Sequence, residues 1–274
     1  MPFKRVLLAT ALTLIAAPAL AAPAAAPPAR PAPATPAKPV PPPAPTKASA
    51  EQRAVVERLG PLARASFWAR ETQVDPADNE ARLKLAQALR ALGKFEEAGA
   101  NADQVLVMEP NNYQALLESA RDRIAQNQGF YGIDKAQRAE ALQPNDWRPV
   151  ALLAVCLEQS ERDNEALAAH RKALALAPNS AATLSNLGMY YATHGDPTQA
   201  EALLRRAVSA PGAGIQERQN LALVLGMEGR IAEAEQIERQ DLPPQTVDNN
   251  LAYLRAANGE AGSERTWDSV RSAQ

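Results

Sequence analysis

Four prolines in phase constrain this chain more than any other feature. Pro76, Pro110, Pro144 and Pro178 follow one another at intervals of 34 residues, and Pro211 comes after a further 33. Proline lacks a backbone N–H and interrupts any helix it falls inside. A proline at fixed period therefore marks the recurring boundary between one structural unit and the next. Self-similarity at this period is the mark of stacked supersecondary units, not of a single closed globule.

Other positions keep the same phase. In a 34-residue frame starting at Asn79, position 8 holds Ala86, Ala120, Ala154, Gly188 and Ala222. Position 20 holds Ala98, Gly132, Ala166, Ala200 and Ala234. Position 27 holds Val105, Ala139, Ala173 and Ala207, and the pattern stops at Asp241. Small residues at positions 8 and 20 let two antiparallel helices approach closely. Gly93, Gly195 and Gly229 at position 15 supply the turn between them. The pattern resembles the tetratricopeptide repeat (TPR), a helix–turn–helix unit of this length.

Five units follow, at 79–112, 113–146, 147–180, 181–214 and 215–248. The second reads as degenerate, because Asn127 to Gly132 stands where a clean turn is expected. The fifth is cut short at Leu242, Pro243 and Pro244. Residues 51–78 read as an atypical first repeat or cap, broken at Gly60 and Pro61. Residues 249–274 close the chain, with a capping helix expected over 246–256. Asp248 is its candidate N-cap, and a short helix is expected around Trp267. The expected fold is all-α: a right-handed TPR superhelix, or α-solenoid, with one concave groove. Composition agrees. Aromatics are only 4% of the chain and alanine carries much of the 46% hydrophobic content, which disfavours a large sheet.

The N-terminus is a different material. Lys4 and Arg5 precede an apolar run from Val6 to Ala17, and Ala19-Leu20-Ala21 forms a small-x-small site. Residues 1–21 thus have the layout of a secretory signal peptide, with an uncleaved anchor as the alternative. The apolar run is too short for an ordinary membrane-spanning helix, so no transmembrane span is expected in the mature form. Residues 22–50 form a Pro/Ala-rich linker, expected to be disordered and extended, with a reach of about 90 Å. It reads as a solubilising spacer, or as a tether crossing an envelope gap. No cysteine lies near the cleavage site to carry a lipid, and the only cysteine is Cys156. The chain is therefore expected to be exported and soluble.

The net charge of -2 averages two unlike parts. Lys4, Arg5, Arg30, Lys38 and Lys47 precede the first acidic residue, Glu51. The remaining 224 residues carry 24 basic and 31 acidic groups, a net of -7. An acidic solenoid is a poor match for nucleic acid, whose binding rests on neutralising phosphates.

No catalytic constellation is recognisable. Gly212-Ala213-Gly214 lacks the further glycine and lysine of a phosphate-binding loop. His170 and His194 have no partner at metal-ligand spacing in the sequence and read as packing or surface residues. Cys156 reads as a small buried hydrophobe. The expectation is a protein that is not an enzyme, with no metal, no cofactor and no small-molecule substrate.

What remains is a binding surface. Positions 2, 5, 9, 12 and 13 of the first helix in each unit are expected to face the groove. They include Gln87, Arg90, Arg121, Glu158, Met189, Gln219 and Met227. Asn186, Asn220 and Asn250 recur at position 6, at spacings of 34 and 30. Amides stacked along a groove can bond an extended peptide backbone, or they can brace neighbouring helices.

The last part of the array carries a closer likeness. The stretch from Asn220 to Glu235 (NLALVLGMEGRIAEAE), then Asp241 to Arg255 (DLPPQTVDNNLAYLR), resembles TadD-type proteins of Flp pilus assembly systems. The resemblance implies a periplasmic, non-enzymatic factor whose partners are secretin or pilus assembly components. It also implies a lipid-anchored form, which the missing lipobox cysteine does not support. A general periplasmic chaperone or cell-envelope coordination adaptor is the alternative.

Overall fold

The computed structural model describes residues 46–260. The expected signal peptide, residues 22–45 of the linker, and the tail at 261–274 with its expected helix around Trp267 lie outside the described residues. Within them are 13 helices and no strand. Helices α1 (Ala50–Val56) and α2 (Pro61–Val74) come first. Five antiparallel pairs follow. These are α3 (Asn79–Ala91) with α4 (Phe95–Met108), α5 (Tyr113–Ala125) with α6 (Gly129–Leu142), and α7 (Trp147–Gln159) with α8 (Asp163–Leu176). Then come α9 (Ala181–Thr193) with α10 (Pro197–Ser209), and α11 (Ile215–Met227) with α12 (Ile231–Glu238). Helix α13 (Pro244–Glu260) closes the stack.

The turn inside each pair is the same device five times. Gly93, Asn127, Glu161, Gly195 and Gly229 all sit at position 15, and all adopt positive φ, between 55° and 81°. After each, the next backbone N–H reaches back five residues: Lys94 to Leu89, Gln128 to Arg123, Arg162 to Leu157, Asp196 to Tyr191 and Arg230 to Leu225. This is the Schellman closure of a helix C-terminus. The second unit, expected to be irregular, is therefore regular at its turn. Asparagine tolerates the left-handed region, so glycine was not needed at 127.

The loops between pairs are equally regular. Asp78, Asn112 and Asp146 at position 34 cap α3, α5 and α7 with their side chains, bonding the N–H groups of Ala81, Ala115 and Arg148. A basic residue at position 26 ties two of these loops to the following pair. Arg138 donates to the carbonyl of Pro110, and Arg206 to that of Pro178 at 3.4 Å.

The residues at positions 8 and 20 are buried in all five units, as their small size anticipates. A Cβ added at Gly188 would stand 2.9 Å from Leu204 Cγ, and one at Gly132 would stand 2.6 Å from Cys156 Sγ. Those contacts leave no room for a methyl group, so glycine here serves close packing. The core runs between the helix pairs as adjoining clusters, from Trp68 and Leu85 through Leu157, Leu184 and Leu203 to Leu225 and Leu251.

Both ends are fastened. Arg53 bridges Glu71 (2.7 Å) and Asp78 (2.6 Å), and its guanidinium lies 5.3 Å from the Trp68 ring centre. Lys47 pairs with Asp78 at 2.6 Å, and Ala48 N–H donates to Glu71 at 3.0 Å. The end of the linker is thereby pinned to the first full pair. At the other end, the helix expected from 246 already begins at Pro244, where proline suits the first helical position. The N–H groups of Thr246 and Val247 bond Pro243 O. Asp248 consequently lies inside α13 and is not its N-cap. Its carboxylate is 3.6 Å from Arg239 instead.

Candidate functional site

The first helices of successive pairs (α3, α5, α7, α9, α11 and then α13) touch one another along the stack, whereas the second helices diverge. The stack therefore curves with its first helices on the inside. Each of these helices turns an arc of partly exposed residues toward that concave face. Position 9 runs along its middle: Gln87, Arg121, Val155, Met189, Leu223 and, after the 30-residue step, Tyr253. The first two are polar and the last four are not.

The polar half is built over buried acid. Glu118, on α5, is 3% exposed at its side chain and accepts from two arginines. Arg90 Nε reaches it across the helix interface at 2.8 Å, and Arg121 Nη1 at 2.6 Å. The two guanidiniums stay partly open to solvent, at 37% and 29%. One turn on, Asp122 is fully buried, and neither carboxylate oxygen has a hydrogen-bond partner among the described residues. Gly99 on α4 packs against it, since a Cβ there would lie 3.4 Å from Asp122 Cβ. Burial, reinforced by the negative charge of Glu118, pushes the Asp122 carboxyl up to about 7, against the pull of Arg90 and Arg121.

Further along, Tyr113 Oη donates to Asp146 at 2.6 Å, and Arg148 closes on the same carboxylate at 2.5 Å. That arginine holds Asp146 down at about 2, while burial and the carboxylate push the Tyr113 phenol up to about 12. Glu158, half-buried at position 12, lies 3.4 Å from both His170 Nε2 and Thr193 Oγ1. His170 itself is buried. His194 stacks on Tyr190 with ring centres 3.9 Å apart. Both histidines thus meet carboxylates from other helices, Glu158 and Asp163, yet no group of residues among those described is arranged to hold a metal ion. Burial pushes the Cys156 thiol up to about 12, so the sulfur is held as a neutral packing group.

The ten residues singled out from the sequence are all partly exposed. Arg90 and Arg121 are brought together on Glu118. Met189 and Met227 pack against the same C-terminal core cluster. The three asparagines do not bond one another. Asn220 Nδ2 donates to Ser185 Oγ on α9 (2.9 Å), and its Oδ1 accepts from Gln216. Asn250 donates to Glu238 at 3.2 Å. The Asn186, Gln87 and Gln219 side chains make no hydrogen bond among the described residues. Sequence reading missed Glu118 and Asp122. For Asp122 a column-by-column comparison holds the signal, because position 10 carries Ala88, Cys156, Tyr190 and Val224 in the other units.

Comparison with known proteins places this geometry. The family model described as Tetratricopeptide repeat matches residues 148–210. Among curated proteins, none matches the chain by sequence. Among solved structures, TTC0263, a thermophilic TPR protein from Thermus thermophilus, superposes with a TM-score of 0.59 at 21% identity. The match covers 65% of this chain and 99% of that one. MamA (residues 41 to the end) from Desulfovibrio magneticus gives 0.50 at 22% identity, over 58% and 89% of the two chains. The Cut9–Hcn1 hetero-tetramer of APC/C gives 0.55 at 14% identity, over 74% and 44%. The fold is a TPR-type α-solenoid. No described helix is long and apolar enough to cross a membrane.

Proposed function

We propose that this chain is a non-enzymatic scaffold that holds a protein segment against its concave face. The observation that carries the reading is the position-9 stripe. Val155, Met189, Leu223 and Tyr253 stand partly or largely open to solvent in one row along the inner side of the stack, with Leu223 36% and Tyr253 70% exposed. An inward-facing apolar strip costs solubility unless a partner covers it.

The setting we propose is the periplasm, in assembly of a Tad/Flp-type pilus or secretion machine. Its support is the likeness of 220–255 to TadD-type proteins together with the leader-like residues 1–21. The linker at 22–50 then serves as the tether, fastened to the solenoid at Lys47 and Ala48. The test is affinity capture from the native host with the full chain, with a form lacking residues 22–50, and with Leu223→Asp. Recovery of secretin or pilus components that is lost with Leu223→Asp is the expected result. Recovery of miscellaneous unfolded chains points to a general chaperone instead. Capture unaffected by the groove substitution refutes the concave face as the binding site.

A further inference from the structure

The groove has two chemically distinct halves, and together they specify the class of segment it takes. We infer that the occupant is an amphipathic helix with an acidic end, lying along the groove. Its acidic end sits over Arg90 and Arg121, and its apolar face covers Val155, Met189, Leu223 and Tyr253. This rests on the concave face being the binding site, as proposed above, and goes on to name the ligand.

The first half is basic at its tips. Arg90 and Arg121 share Glu118, a carboxylate buried beneath them and only 3% exposed. Two guanidiniums on one carboxylate leave a net positive charge, and it faces outward. Asp122 offsets this charge only in part, since its buried carboxyl is pushed up to about 7 and is no more than about half ionised at neutral pH. An arginine pair with spare N–H donors is matched to carboxylates.

In the second half the position-9 row is apolar, and its spacing suits a helix. Packed helices sit about 8–10 Å apart. A bound helix rises 1.5 Å per residue, so one step along the stack equals about 5–7 of its residues, the upper end being close to two turns. Arg121 to Val155 is one such step, and Val155 to Tyr253 is three more. Residues on one face of a helix at intervals of about seven meet successive position-9 side chains.

An extended peptide is less well served. Its backbone N–H and C=O groups need partners along their whole length. Of the three asparagines, Asn220 and Asn250 are already committed to Ser185 and Glu238. Asn186 and Gln219 remain uncommitted for a stretch of roughly nine extended residues. A helix arrives with its backbone already satisfied and asks the groove only for apolar cover and a charge at one end.

The experiment uses three fluorescent peptides of about 24 residues with the full chain. The first is an alanine-based helix with glutamates in its first turns and leucines along one face thereafter. The second keeps that composition but carries two internal prolines, and the third replaces its glutamates by lysines. The inference expects the first to bind at least tenfold tighter than either control. It expects Leu223→Asp and Tyr253→Asp each to weaken that binding at least tenfold, with an unchanged helical spectrum showing that the fold is intact. Arg121→Gln, which keeps a hydrogen bond to Glu118, should weaken the glutamate peptide and leave the lysine peptide unmoved. If the proline peptide binds as tightly and still depends on Leu223, the helix is wrong and the groove stands. If the lysine peptide binds as well as the glutamate one, the acidic end is wrong. Failure of all three peptides to bind overturns the inference, while the capture experiment judges the groove independently.

Discussion

Replacing Asp122 by asparagine removes a charge that the fold tolerates poorly, and the effect has a calculable pH dependence. The carboxyl is fully buried on α5, against Gly99 of α4, with no hydrogen-bond partner for either oxygen among the described residues. Around it stand Glu118 and Arg121 on its own helix, Arg90 on α3 and Asp103 on α4. Its affinity for a proton rises from an ordinary 3.8 to about 7 in the folded chain. The folded state thus holds the proton more tightly than the unfolded state does. Below about pH 4 both states are protonated and Asp122 costs nothing. As the pH rises from there, the chain loses about 1.4 kcal/mol per pH unit, levelling off above pH 7 at about 4 kcal/mol. Asparagine has the same shape and no charge at any pH. Its stabilising effect should therefore be larger at pH 8 than at pH 5 by about 2–3 kcal/mol, or about 5–10 °C in Tm for an array of this size. Thermal unfolding followed by circular dichroism, with parent and variant at both pH values, reads this directly. Taking the difference between the two proteins removes the contribution of every group they share. An equal difference at pH 5 and pH 8 would refute the reasoning, because a packing effect alone does not titrate.

Further predictions follow from the same contacts. Gly129→Ala places a methyl group 2.8 Å from the Cys156 carbonyl oxygen and from Gln159 Cβ, so it should cost about 1–3 kcal/mol in chemical denaturation. Gly60→Ala, which meets nothing within 4 Å, serves as the control. Arg53→Ala leaves the buried Glu71 facing Asp78 without its bridge and should cost about 3–5 kcal/mol at neutral pH. The arginine holds the Asp78 carboxyl well below its usual range, so the stability it contributes is present above about pH 4 and fades below it. The gap between parent and variant in urea titrations should narrow accordingly. Cys156, buried and held neutral, should resist a thiol reagent at neutral pH and react promptly once denaturant is added. Equal reaction rates in both conditions would contradict its burial.

The repeat was legible because it is written twice, in prolines at a fixed period and in small residues at fixed positions between them. Each has a local physical cause: proline stops a helix, and only Ala or Gly lets two helices touch. A similar logic gave the candidate groove positions, since helical periodicity says which residues share a face. It failed at the turn of the second unit, where asparagine at 127 adopts the backbone that glycine adopts at 93, 195 and 229. Residue type is a weaker signal there than register. It failed again at Asp248, because the proline pair had already started the helix four residues earlier.

The sequence by itself determined the class of fold, the period, the phase and the candidate inner face, because these follow from spacing along the chain. It left open what each inward side chain does, because that depends on the neighbouring helix. From the sequence, Asn220 and Asn250 could either serve a bound peptide or brace a neighbouring helix, and in the structure they bond Ser185 and Glu238. Arg90 and Arg121, 31 positions apart in the chain, became one basic site only when α3 and α5 packed side by side over Glu118. Contacts of that kind are set by three-dimensional packing between units, and a one-dimensional period cannot encode which partner a side chain meets.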